Sequence, residues 1–393
     1  MPRPPNVDID EFTLVLSLID KDIGVDWILK CEEILVDFLK RSQLEILFGK
    51  MVHRTTRLPV GYINGLSYEN KPWYFAIAWH EDQPRQGICV KFSAHSWAAY
   101  QSQYAIKYSY PINVAEFLAM IQSDSYNVHL TRIDLVADYI DFPDPDIPNM
   151  FLKPDTIYRK LCAGEYAIKN YKGMQSVYRT SAIDKDGEYQ TVYLGSKKGA
   201  FFLRIYDKRE EQFATKGFRL DDATACRSWV RFEMVVRHDG AKTITGQLLT
   251  IQTIQELQAL IAKHITDKYR FIDVQSNTNT EFTEDLLSIA TGATVAPIKS
   301  ASNRNMELAR TISYIKNSSG LYSLLYKVFC IWGSKEVHKL MLEFEIDFLR
   351  EAKKENSFRD IDKWVRKHYS EYQDSLPLDY FYADKKVLNT SSI

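Results

Sequence analysis

Thr131-Arg-Ile-Asp-Leu-Val-Ala-Asp138 alternates polar and apolar residues, the pattern of a strand with two unlike faces. Arg132, Asp134 and Asp138 fall on one face, Ile133, Leu135 and Ala137 on the other. The same period of two recurs in Leu203-Arg-Ile-Tyr-Asp-Lys208, which sets Arg204, Tyr206 and Lys208 on one side. It recurs again in Trp229-Val-Arg-Phe-Glu-Met-Val-Val-Arg237, where Arg231, Glu233 and Arg237 oppose Val230, Phe232, Met234 and Val236. If these strands are neighbours in one sheet, the apolar faces make core and the polar faces converge. That face would gather three carboxylates, four arginines, a lysine and a tyrosine.

Around these strands the chain alternates helix and strand signals without the regular βαβ rhythm of a parallel sheet. Helical spacing runs from Asp26 to Leu39, through Ser96 to Ala105, from Asn113 to Ile121 and from Pro154 to Ala163. Strand signals lie at 61–66, 73–79, 88–92, 129–139, 176–183, 188–194, 201–208 and 229–237, and helix patterns fill 244–265. The expected fold class is α+β: a mostly antiparallel sheet with flanking helices, followed by a helical C-terminal module. The expected division is a core at 1–270, a polar linker zone at 271–305, a helical module at 306–372 and a tail at 373–393.

The 393 residues are 45% hydrophobic and 26% charged, which excludes a disordered or low-complexity chain. The longest apolar runs fall far short of the roughly 20 residues that cross a bilayer. The start lacks the basic-then-apolar order of a secretory signal, so a cytoplasmic protein is expected. Five cysteines are scattered without a Cys-x-x-Cys pair, and eight histidines without a His-x-His pair. There is no Gly-x-x-x-x-Gly-Lys loop for a nucleotide triphosphate. A net charge of −1 hides a local excess: residues 159–219 carry thirteen basic side chains against seven acidic ones. A polyanion would be met there.

Asp134, Asp138 and Glu233 offer hard oxygen donors of the kind Mg²⁺ or Mn²⁺ takes. Arginines beside them suit a phosphate, which a guanidinium grips in a bidentate way. A tyrosine among them is a possible nucleophile, provided that cations or a metal stabilise its phenolate. Together these parts describe transesterification of a phosphodiester. The competing explanation is a solvated sheet face laced with cross-strand ion pairs.

Three strings in this order weigh between the two: Thr131 to Asp138, then Tyr193-Leu-Gly-Ser-Lys-Lys-Gly-Ala-Phe-Phe-Leu-Arg-Ile-Tyr-Asp-Lys-Arg-Glu-Glu211, then Trp229-Val-Arg-Phe-Glu233. They resemble the replication initiation factor family, the initiators of rolling-circle plasmids of the staphylococcal type, with relatives in filamentous phages and conjugative elements. The resemblance covers about 130–240. It implies a DNA strand-nicking and religating endonuclease with Tyr206 as nucleophile, flanked by Arg204 and Lys208. It also implies a divalent metal, Mg²⁺ or Mn²⁺, at Asp134, Asp138 and Glu233. Arg132, Arg231, Lys197 and Lys198 are the expected DNA contacts.

One departure stands at Gly199, where the family often has serine. The resemblance further implies origin DNA as partner, a host helicase, and a homodimer to supply a second tyrosine. Cations of the helical module, among them Arg304, Arg310, Lys316, Lys335, Lys339, Arg350 and Lys354, are candidates for reading duplex DNA, against ordinary solvated helix faces. A relaxase for conjugation and a non-cleaving DNA-binding regulator are the alternatives.

Overall fold

The structure is a computed structural model; it describes residues 4–19, 26–291 apart from 177 and 179, and 320–354, with isolated positions at 311, 312, 315, 365, 366 and 369. The chain divides into two units, residues 1–299 and 300–393.

The first unit is built on an antiparallel sheet. Its strands in chain order are β1 (Asn6–Ser17), β2 (Val52–Arg54), β3 (Asn64–Ser67), β4 (Phe75–Trp79), β5 (Ile88–Phe92) and β6 (Asn127–Ile140), then β7 (Tyr166–Lys169), β8 (Thr180–Lys185), β9 (Glu188–Leu194), β10 (Phe201–Asp207), β11 (Trp229–Arg237), β12 (Arg270–Asp273) and β13 (Thr278–Asn279). Among the described residues ten of these form one sheet in the order β2-β3-β4-β5-β1-β6-β11-β10-β9-β8, and β13-β12-β7 form a second. The α+β class and the dominance of antiparallel pairing match the expectation from sequence. The strands at 131–138, 203–208 and 229–237 are neighbours, with β11 between β6 and β10.

Strand β1 carries no clean period of two. Val7 and Ile9 are buried, then the phase jumps and Phe12, Leu14 and Leu16 are buried. The jump is a β-bulge: Ile9 pairs with Leu135 and Phe12 with Ile133, so Asp10 and Glu11 together oppose Asp134. Both acidic side chains consequently reach the same polar face, Asp10 to Arg231 and Glu11 to Arg132.

The opposite face is core. Phe12 and Phe92 stack at 4.9 Å and meet Trp97, Tyr100 and Phe117 from helices Ala94–Tyr108 and Val114–Met120. Further along, Phe232 packs on Phe271 and Phe282, and the Tyr139 hydroxyl donates to the Phe282 carbonyl at 2.6 Å. Burying each such aromatic contributes about 1.5–3 kcal/mol.

These contacts revise one expectation. Polar composition places residues 271–290 in a linker zone, but Phe271, Ile272, Phe282 and Leu286 are buried in the first unit, and β12 pairs with β7. The rest of the zone, 292–305, lies outside the described residues. The run 244–265 is two helices, Asp239–Leu248 and Ile254–Lys268, because Thr253 caps the second through a reciprocal box with Glu256.

In the second unit helices Leu321–Trp332 and Ser334–Ala352 are joined at Gly333, whose φ of +85° is available to glycine. Lys339, Arg350 and Lys354 pair with Glu336, Asp347 and Glu351 three residues before them. Arg304, Arg310, Lys316 and the tail at 373–393 lie outside the described residues. No helix among the described residues is long and apolar enough to cross a membrane.

Candidate active site

Pairing register lays the polar face out in rows. Tyr206, Arg231 and Asp138 stand opposite one another across β10, β11 and β6. The next row holds Tyr193, Arg204 and Glu233. Beyond it Asp134 faces the bulge at Asp10 and Glu11, and the last row joins Arg237, Arg132, Thr13 and Lys91.

Within the rows charges are matched by geometry. Arg132 forks onto Asp134 at 2.9 and 2.6 Å and reaches Glu11 at 2.7 Å. Arg231 forks onto Asp138 at 2.6 and 2.7 Å and reaches Asp10 at 2.7 Å. Arg204 Nη2 holds both oxygens of Glu233 at 2.7 and 2.6 Å. The planar fork of arginine is what allows one cation to serve two carboxylates on adjacent strands.

Tyr206 is 6% exposed. Its hydroxyl donates to Glu233 Oε2 at 3.1 Å, the Arg204 guanidinium lies over its ring at 4.5 Å, and Lys208 Nζ lies 5.7 Å from the ring. Burial, and then the Glu233 charge, hold the phenol well above its ordinary pKa, against the opposing pull of Arg231 and Arg204. The resting hydroxyl is therefore neutral. Lys208 opens helix Lys208–Thr215, which Asp207 caps, rather than continuing the strand, and it pairs with Glu211 at 2.9 Å.

Burial pushes Asp134 up to about 7, helped by the charges of Glu233 and Glu11 and opposed by Arg132. Asp10 goes the other way: burial raises it, but Arg231, Lys208 and Arg219 outweigh burial and hold it low.

Glu11, Asp134 and Glu233 bring hard oxygen donors into one neighbourhood, where the charges of Glu233 and Glu11 raise Asp134. The three carboxylates expected to be ligands are each held by an arginine, and among the described residues no group of three His, Cys, Asp or Glu stands ready as a metal site. Asp138 is the most committed of them, closed off by Arg231 with Arg219 at 3.6 Å.

Of the expected DNA contacts, Arg231 is 1% exposed and spends its donors on Asp10 and Asp138, so it orients carboxylates instead of meeting a phosphate. Arg132 and Arg204 are partly exposed, and Arg204 Nε is buried without a partner among the described residues. Lys197 and Lys198 sit at the β9–β10 turn, where Lys197 lies 3.9 Å over Tyr193 and Arg237 donates to the carbonyls of Lys197 and Gly199. At Gly199 an added Cβ would stand 3.1 Å from the Ser196 carbonyl oxygen, so the missing side chain suits a tight turn. Sequence reading missed Asp10, Glu11 and Lys91; the phase jump between Ile9 and Phe12 is the signal that carries the first two.

The family model described as replication initiation factor matches residues 128–341, more than half of the chain. The chain belongs to the replication initiation factor family. The match covers β10, β11 and all but the first residue of β6, the strands that carry Tyr206, Asp134, Asp138 and Glu233. The fold of this family member is similar to that of the rolling circle replication initiator protein from Geobacillus stearothermophilus, with a TM-score of 0.48 and 15% identity over 75% of this chain and 100% of that chain. No curated protein matches.

Proposed function

We propose that this replication initiator nicks one strand of origin DNA in a rolling-circle mode, with Tyr206 as the nucleophile. The observation that carries the reading is the hydrogen bond from the Tyr206 hydroxyl to Glu233, a carboxylate already fixed by Arg204. A neutral buried phenol is a poor nucleophile until a base takes its proton, and Glu233 is placed to do so.

As the phenolic oxygen attacks phosphorus, its proton passes to Glu233, the bond from phosphorus to the 3′ oxygen breaks, and that oxygen leaves to be protonated as the 3′ hydroxyl. The 5′ phosphate stays on Tyr206, and the reverse sequence religates the strand. Arg204 lies over the tyrosine ring and is partly exposed, so it can meet an arriving phosphate while its Nη2 keeps Glu233 in place. Arg132, with Lys197 and Lys198 at the nearby turn, contributes further positive charge along the strand. Arg231 and Arg204 favour the phenolate that forms, and Lys208 stands 5.7 Å from the ring.

A divalent cation, Mg²⁺ or Mn²⁺, would be held by Asp134 and Glu233 with Glu11, and when bound supplies positive charge to the scissile phosphate. Asp138 is left to position Arg231. Origin DNA, a host helicase and a second copy of the chain complete the assembly this reading requires, in the cytoplasm.

The test is incubation of wild-type protein and Tyr206→Phe with a supercoiled or single-stranded origin library and either metal, followed by denaturing electrophoresis. A covalent adduct formed by wild type, lost in the variant and suppressed by chelator is the expected result. Binding to an origin with no adduct under either metal overturns the reading in favour of a DNA-binding regulator.

A further inference from the structure

We infer that the groove between loops 54–58 and 67–74, at the far side of the sheet from Tyr206, seats single-stranded DNA leading to the scissile phosphate. The inference rests on the nicking reading and adds a binding site to it. The groove has a volume of about 670 Å³ and presents Arg54, Arg57 and Lys71 together with Tyr68, Trp73 and Tyr74.

Its two walls are tied to each other and to the sheet. The Tyr74 hydroxyl donates to the Arg57 carbonyl at 3.0 Å, and Ser93 Oγ donates to the Tyr74 carbonyl at 2.7 Å. Trp73 is braced edge-on by Phe48 and Tyr68 at 5.1 and 5.5 Å. A braced indole with a partly open face is a stacking platform, which bases of a single strand can use and paired bases cannot.

The charge of the groove is largely uncommitted. Arg54 meets Glu69 at 3.5 Å, but Arg57 and Lys71 have no carboxylate partner among the described residues. Lys71 instead lies 5.7 Å over Phe48. Two free cations beside aromatic faces match a chain of phosphates carrying unpaired bases.

Continuity with the active site decides the ligand. Lys91 Nζ lies 5.7 Å over the Tyr74 ring and 3.4 Å from Glu11, and Glu11 is 2.7 Å from Arg132. The Tyr74 wall of the groove and the carboxylate rows are thus joined along one face, through Ala76, Lys91, Thr13 and Arg132 in register. From β10 to β4 is five strand spacings, about 24 Å, a path several nucleotides long.

The experiment uses the full chain in chelator, so that no cut occurs, and fluorescein-labelled oligothymidylate as probe. Arg57→Ala with Lys71→Ala is expected to weaken binding about tenfold and to lower the salt slope by about 1.4, the value for two single-strand phosphate contacts. Photocrosslinking of wild type to an iododeoxyuridine oligonucleotide is expected to label the peptide carrying Trp73 and Tyr74, a readout that needs no variant. Unchanged affinity with crosslinks only elsewhere overturns the inference, as does a loss confined to duplex DNA. If the double variant loses single-strand affinity while wild type forms no adduct with metal, the groove stands and the nicking reading falls.

Discussion

Tyr206 shares Glu233 Oε2 with Arg204: the hydroxyl approaches at 3.1 Å and Nη2 at 2.6 Å. The carboxylate cannot turn away from the phenol without breaking its ion pair, so acceptor and nucleophile are held as a unit. Glu233→Gln keeps an acceptor near Tyr206 but removes the capacity to take its proton. Adduct formation in a time course is expected to slow by about 10²–10⁴-fold, with single-strand binding retained. A wild-type rate in that variant would place the base elsewhere.

Arg231 bridges Asp10 on β1 and Asp138 on β6 from a position on β11. Arg231→Met leaves the buried Asp138 with Arg219 alone, at 3.6 Å, and half-buried Asp10 without its ion pair, and is expected to cost about 3–5 kcal/mol in denaturant unfolding. Arg132→Met, at a partly exposed arginine, is expected to cost less than half as much. Equal losses would mean that burial does not govern the value of these pairs.

How much of this was legible in the sequence follows from which signals are local. Strands β6, β10 and β11 repeat every two residues, so the shared face of Arg132, Asp134, Tyr206 and Glu233 could be read before their adjacency was known. Strand β1 cannot be read that way, because the bulge at Asp10 and Glu11 breaks its period. Phe271 and Phe282 were hidden for a different reason: few apolar residues stand in a polar stretch, and only contact with Phe232 reveals them as core. Lys208 looked like the end of a strand until the Asp207 cap set it at the start of a helix. The pairing of Arg231 with Asp138 depends on register across 93 residues of chain, which no local pattern encodes.

Glu11 adds a carboxylate whose charge raises Asp134, and it pairs with Arg132 at 2.7 Å and Lys91 at 3.4 Å. Glu11→Gln is expected to weaken Mn²⁺ binding about 10–100-fold in calorimetry, whether Glu11 touches the ion or supports the groups that do. Asp10→Asn, at a carboxylate committed to Arg231, is expected to leave Mn²⁺ affinity unchanged. A dependence on Asp10 rather than Glu11 would move the metal to the other side of the bulge.

His264 is buried with Nε2 2.7 Å from Gln247 Oε1, and burial, with lesser contributions from Lys263 and Lys268, holds its pKa down to about 3. In the unfolded chain the imidazole titrates near 6.5. Between these values the unfolded state binds the extra proton, so stability falls as pH drops from about 6.5 toward 3. By pH 5 the loss from this residue alone is about 2 kcal/mol. His264→Gln has no proton to gain, so urea unfolding of the variant is expected to lose about 2 kcal/mol less than wild type between about pH 7 and pH 5. The same pH dependence in both proteins would show that other groups govern acid stability.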